Sequence, residues 1–250
     1  MGMATRNLTC AMQERGFEIR TFMPRYGCVN ERRHQLHEVI RLSGMNVIIC
    51  DNDHQLIIKV ASLQPSRLQV YFIDNDDFFT RKATIRDAEG AEFEDNDDRA
   101  IFFARGVIET VKKLRWQPGI VHCHGWFSAI APLYIKHAFS DDPIFNGTKI
   151  VVSLHDDEFT REFGDEFREK IAHENAGIEN GNLENIGSNS YQNLMKLVID
   201  YADGVVFESE NVNLALKEYV LGSGKPVLDS TAFAEQNEFM DAYQKFYNEL

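Results

Sequence analysis

Two histidines, His122 and His124, flank Cys123 and run into Gly125 and Trp126. In an extended segment that spacing puts both imidazoles on one side and the thiol on the other. His155 and Asp156 follow a second apolar run, residues 150–154. If the two runs are strands of one sheet, three imidazoles and a carboxylate meet at the carboxyl ends, where open α/β sheets place their ligands. One fitting chemistry is an acid/base or ligand-contacting cluster. A zinc site of His122, His124 and His155, with Asp156 or water as fourth ligand, is another. The plain alternative makes His122 a satisfied strand histidine and uses His124 and Trp126 for packing at a helix start; spacing does not choose. Ser153 lacks the flanking glycines of a hydrolase elbow, and neither a phosphate-binding glycine loop nor an H-E-x-x-H pair occurs. No cofactor and no metal is assigned.

The elements that would position these residues follow from periodicity. Residues 5–15 read as a helix with Leu8, Ala11 and Met12 on one face, ended by Gly16, and residues 18–23 as a strand stopped by Pro24. Between 36 and 73 short β-branched runs alternate with turn-like SGM, DND and QPS, an antiparallel strand-rich extension. The acidic clusters 74–77 and 95–98 lack the glycine and glutamate of a calcium loop. Asp97 or Asp98 is expected to cap a helix over 99–114, striped with Phe102, Phe103, Val107, Ile108 and Val111. Strands are then predicted at 119–123, 149–154, 204–207 and 226–228. Helices are predicted at 126–139, 191–201, 211–221 and 232–250, with an Asn- and Gly-rich stretch over 175–193. The pairs Phe78-Phe79 and Phe102-Phe103 could face a sugar, but core packing is the expectation. Phe239, Tyr243, Phe246 and Tyr247 make a stripe suited to docking on the chain's own core, with a dimer interface as the alternative.

The whole, residues 1–250, reads as one α/β domain with no linker. A net charge of −13, from 39 acidic against 26 basic side chains, repels phosphates and anionic membranes, so neither nucleic acid nor membrane is an expected partner. The four cysteines have no CxxC spacing and suit a reducing, cytoplasmic setting. No signal-peptide pattern and no membrane-length apolar run is present.

Several stretches together resemble one family. They are residues 14–26 (ERGFEIRTFMPRY), 70–79 (VYFIDNDDFF), 93–105 (FEDNDDRAIFFAR), 116–136 (WQPGIVHCHGWFSAIAPLYIK), 150–156 (IVVSLHD) and 202–209 (ADGVVFES). The chain is similar to the N-terminal domain of bacterial glycogen and plant starch synthases, and most to short single-domain Bacteroidetes proteins of that type. The resemblance implies a Rossmann-like open, mostly parallel sheet with helices on both faces, the N-terminal half of a GT-B fold. It implies a retaining hexosyltransferase that takes ADP-glucose or UDP-glucose and lengthens an α-1,4-glucan. The second histidine of the family's H-x-H-D-W motif lies near the transferred glucose, which assigns the catalytic role to His124. His122, Trp126, His155 and Asp156 become substrate-binding positions.

The departures are Gly125 for the motif's Asp, Asp156 for an Asn, and Glu210 after Ser209 for a Pro. The family's opening strand and K-x-G-G-L loop would precede Gly2, so the first strand is expected to be missing and a sheet position exposed. The family's donor domain is likewise not matched. The chain is therefore expected to be inactive alone, working with a donor-domain partner or as a homodimer. The other readings are a non-catalytic glucan-binding or interaction module and, more weakly, a metal-dependent hydrolase.

Overall fold

The computed structural model describes residues 2–171, 187–233 and 235–250. The predicted Asn- and Gly-rich stretch lies outside the described residues up to position 186. Helix α1 (Gly2–Glu14) leads to strand β1 (Thr21–Pro24), and after the single turn α2 (Glu31–His34) come β2 (His37–Glu38), β3 (Met45–Ile49), β4 (Asn52–Leu63) and β5 (Leu68–Asp74). The turn α3 (Asp76–Phe79), the long helix α4 (Asn96–Leu114) and strand β6 (Ile120–His124) follow. Beyond them lie the short α5 (Ala131–Leu133), β7 (Lys149–Leu154), α6 (Phe167–Ile171), α7 (Tyr191–Tyr201), β8 (Gly204–Phe207), α8 (Leu214–Gly222), β9 (Val227–Asp229) and α9 (Gln236–Glu249).

Among the described residues the strands form two sheets. One is mixed, in the order β1-β5-β4-β2 with β3 also on β4; β1 and β5 run parallel and the remaining pairs antiparallel. The other is all parallel, β6-β7-β8-β9. Continuous apolar runs explain the second: Ile150, Val151, Val152 and Leu154 are fully buried, as parallel strands covered on both faces must be. Ile150, Val152 and Leu154 join the main core with α4, α5 and α7, while Val151 packs on the opposite face with Val206, Leu228, Leu8, Met12, Met240, Tyr243 and Phe246. Helices thus cover both faces, and the aromatic stripe of α9 docks on this chain's own sheet. Phe78, Phe79, Phe102 and Phe103 are all buried in the main core.

Four local expectations are corrected. The run 36–42 makes only the two-residue strand β2, because the backbone turns at 40–43 to carry Leu42 into the core. Asp97 and Asp98 do not cap α4; Asp95 holds that position without a side-chain bond to the helix, and the two later carboxylates receive Lys170 Nζ at 2.8 and 3.0 Å. The helix predicted over 126–139 is broken into a 3-10 turn (Trp126–Ser128), α5 and a π turn (Tyr134–Ala138), with Pro132, which has no N–H to donate, at the start of α5. Helix α8 begins after Asn213, whose Oδ1 accepts from Ala215 N at 3.0 Å, rather than at 211.

Candidate functional site at the carboxyl ends of β6 and β7

Parallel pairing sets His122 opposite Val151 and His124 opposite Ser153, so the β6 histidines stand beside the end of β7. The rings of His122 and His124 stack with centroids 4.1 Å apart, and those of His124 and His155 lie 5.7 Å apart. His155 Nε2 is 3.4 Å from His124 Nδ1. The structure brings His122, His124 and His155 together, one of the arrangements that the strand periodicity allowed.

Their surroundings differ. Both ring nitrogens of His122 are engaged within the fold, Nδ1 with the Tyr247 hydroxyl of α9 at 2.6 Å and Nε2 with Ser153 Oγ at 2.7 Å. Ser153 continues to Glu208 Oε1 at 3.4 Å, which also accepts from the Tyr243 hydroxyl, while Ser230 donates to Glu208 Oε2 at 3.0 Å. His122 thus sits in the middle of a polar line that runs under α9 from Tyr247 to Glu208, and His124 and His155 are its outer neighbours at the strand ends. Trp126 is buried against Phe127, Phe159 and Phe163. Asp156 is exposed.

Burial disfavours the charged form of each imidazole. It pushes His122 down to about 3, with His155 adding repulsion, and His155 down to about 4. His124 falls well below its ordinary range for the same reason, reinforced by His122 and His155. At neutral pH the cluster is three uncharged rings that donate and accept hydrogen bonds. Among the described residues no group of His, Cys, Asp and Glu is arranged to hold a metal ion, and the stacked rings with His122 already bonded at both nitrogens give the reason.

Asp157 is a residue that sequence reasoning missed. Its Oδ2 accepts from the Trp126 amide at 3.0 Å and its Oδ1 from the Tyr191 hydroxyl at 3.4 Å, so it pins the turn after His124. Burial raises its carboxyl above the usual range. The doublet Asp156-Asp157 was the available signal, but which carboxylate turns inward depends on the path after β7. Glu208, Tyr243 and Tyr247 were missed as site neighbours because they come from the end of β8 and from α9. Gly125 takes φ 71° and ψ 171°, a backbone conformation essentially confined to glycine. Beyond Asp157 the chain lines a cleft of about 370 Å³ with Phe93, Asp97, Phe163 and Lys170 among its walls.

No helix among the described residues is long and apolar enough to cross a membrane. Among curated proteins, glycogen synthases of Chlorobium limicola and Chlorobium luteolum are 38% and 39% identical over 146 residues. The match takes in 58% of this chain and 30% of each relative. Among solved structures, the catalytic domain of starch synthase IV from Arabidopsis thaliana, bound to ADP and acarbose, superposes with a TM-score of 0.64 at 17% identity. That superposition covers 97% of this chain and 45% of the other, and it establishes a Rossmann-like fold of the GT-B type. The family described as the starch synthase catalytic domain matches residues 1–224, through both histidine-bearing strands and on past α8. The chain belongs to that family, the glycosyltransferases of the glycogen and starch synthase kind.

Proposed function

We propose that this chain supplies the acceptor-side half of a retaining α-1,4-glucosyl transfer from ADP-glucose or UDP-glucose to a glucan. The observation that carries the reading is the uncharged His124–His155 pair at the ends of β6 and β7, 3.4 Å apart. Neutral imidazoles suit sugar hydroxyls, which both donate and accept hydrogen bonds. His124 takes the catalytic position beside the transferred glucose, and His155 and Asp156 contact the sugar. His122 and Trp126 hold His124 and its turn in place from below. The cleft with Phe93 and Phe163 among its walls offers apolar ring faces to a longer glucan.

Residues 1–250 by themselves are proposed to turn over little substrate. A departing nucleoside diphosphate needs cationic or dipolar stabilisation. The side chains around His124 named above are neutral or acidic, in a chain of net charge −13. A donor-binding partner would complete the site in the cytoplasm.

The test is transfer of labelled glucose from each donor to glycogen, together with glycogen binding, for the chain and for His124→Ala. Binding without turnover, weakened by the substitution, supports the acceptor-side reading. Turnover abolished by the substitution shows that the chain completes a working site and overturns the proposed inactivity. Neither binding nor turnover overturns the glucan role.

A further inference from the structure

The loop that leaves β7, residues 155–163, is held on two sides. Its apolar side is aromatic: Phe159 stacks on Phe163 with ring centroids 4.4 Å apart and meets Trp126 edge-on at 5.0 Å. Its polar side is held by a glutamate from an earlier part of the chain. Glu92 Oε1 accepts from Thr160 N at 3.0 Å and Oε2 from Arg161 N at 2.9 Å. Arg86 Nη2 donates to Glu92 Oε1 at 2.8 Å and to Glu158 O at 3.2 Å. Residues 86–91 and 160–162 are exposed, yet the Glu92 side chain between them is only 7% exposed.

Burial alone would raise the Glu92 carboxyl, but the Arg161 and Thr160 amides and the Arg86 guanidinium outweigh it and hold it below its ordinary value. It is therefore anionic at neutral pH, and hydrogen bonds to an ionised acceptor are the strong kind. Successive backbone N–H groups aimed at one point form a concavity suited to an anion. Glu92 fills that socket from within the chain.

The glutamate stands on the fixed side of the contact. Residues 85–93 fold back on themselves, with Phe93 N donating to Ile85 O at 3.2 Å and Asp87 N to Ala91 O at 2.9 Å. The base of this hairpin is tied to α4, since Asn96 Nδ2 donates to Ile85 O at 2.9 Å and the fully buried Arg99 to Thr84 O at 2.6 Å. A further tie to the loop, Arg161 to Glu94 at 3.0 Å, is exposed at both ends and holds little. The cleft of about 370 Å³ is lined from both sides, by Phe93 of the hairpin and Phe163 of the loop.

We infer that Glu92 is a positioning residue of this site. Its carboxylate occupies an anion socket made by the Thr160 and Arg161 amides and Arg86, and thereby sets the loop between His155 and Phe163 and the width of the cleft against Phe93. A glucan as the occupant of the cleft rests on the function proposed above; the socket and the loop do not. Because two of the donors are backbone groups, the socket outlasts the loss of Glu92 and accepts a free carboxylate in its place.

The experiment compares the whole chain with Glu92→Ala and Glu92→Gln, with sodium acetate or the neutral acetamide added at matched ionic strength. Amide signals of Thr160 and Arg161 and the indole signal of Trp126 are followed by NMR, and maltoheptaose affinity by calorimetry. Glu92→Ala should move all three signals and weaken maltoheptaose binding by about tenfold. Acetate should return the signals and the affinity, and acetamide neither. In Glu92→Gln, where the side chain still fills the socket, acetate should change nothing, and this variant carries the signal and affinity comparison if the alanine variant does not fold. Unmoved amide signals in either variant would overturn the inference. So would acetate that restores the amides without the affinity, or that acts equally on Glu92→Gln. If the unaltered chain leaves maltoheptaose unbound, the glucan reading falls, and the amide and indole signals alone decide the socket.

Discussion

The ring of Phe246 lies against Gly204, so close that a Cβ built on the glycine would stand 2.7 Å from Cζ, with Leu250 Cδ2 at 2.9 Å. Helix α9 therefore docks on β8 through a contact that only glycine permits. Gly204→Ala should force the helix outward and cost about 1–3 kcal/mol, read as a lower urea midpoint, with increased protease cleavage around α9.

Tyr247→Phe removes the hydroxyl that engages His122 Nδ1 and leaves a buried ring nitrogen unpaired. The expected loss is about 1–3 kcal/mol. Tyr243→Phe, which removes a donor to Glu208, should couple with it in a double-mutant cycle because both hydroxyls feed one network. Simple additivity of the two losses would show that the network does not act as a unit.

Acid should weaken the fold before its carboxylates are titrated as a group. Unfolded histidines take up a proton near 6.5, whereas folded His122 and His155 do so only near 3 and 4. The unfolded state thus binds more protons below 6.5, and stability falls through the window from 6.5 down to those values, by about 1.4 kcal/mol per pH unit for each group. Asp98 and Asp157, whose carboxyls burial raises, work in the opposite sense as pH falls through their folded values. Urea unfolding at pH 7, 6 and 5 reads the slope, and His122→Gln should flatten it. An unchanged slope in that variant would remove His122 from the account.

Gly125→Asp restores the residue type that the resembling motif carries, yet the backbone there has φ 71° and ψ 171°. A side chain at that conformation is strained by about 1–3 kcal/mol. The variant should be less stable, with weaker rather than stronger glycogen binding, as calorimetry and a pull-down on glycogen would measure. A gain in both would mean the turn rebuilds around the new carboxylate.

Strands β7 and β8 and helix α7 were legible to the residue, because uninterrupted apolar runs and a strong amphipathic period leave little choice of partner. The convergence of His122, His124 and His155 was legible too, since a two-residue spacing on one strand and a homologous place on the next determine it. What periodicity could not show was the layer above. Tyr243 and Tyr247 reach the cluster from more than a hundred residues away, and the inward turn of Asp157 in place of Asp156 depends on how the chain leaves β7. The helix after Trp126 was overdrawn because its apolar composition masked the interruption at Pro132.

The bonds beneath α9 also have a polarity. Ser153 has one proton and gives it to Glu208, so toward His122 its oxygen can only accept. His122 must then carry its hydrogen on Nε2, which leaves Nδ1 as an acceptor for the Tyr247 hydroxyl. Every proton along the line points the same way, from the surface helix toward the Glu208 carboxylate. The tautomer of a strand histidine is in this sense dictated by an acid just beyond the end of a different strand.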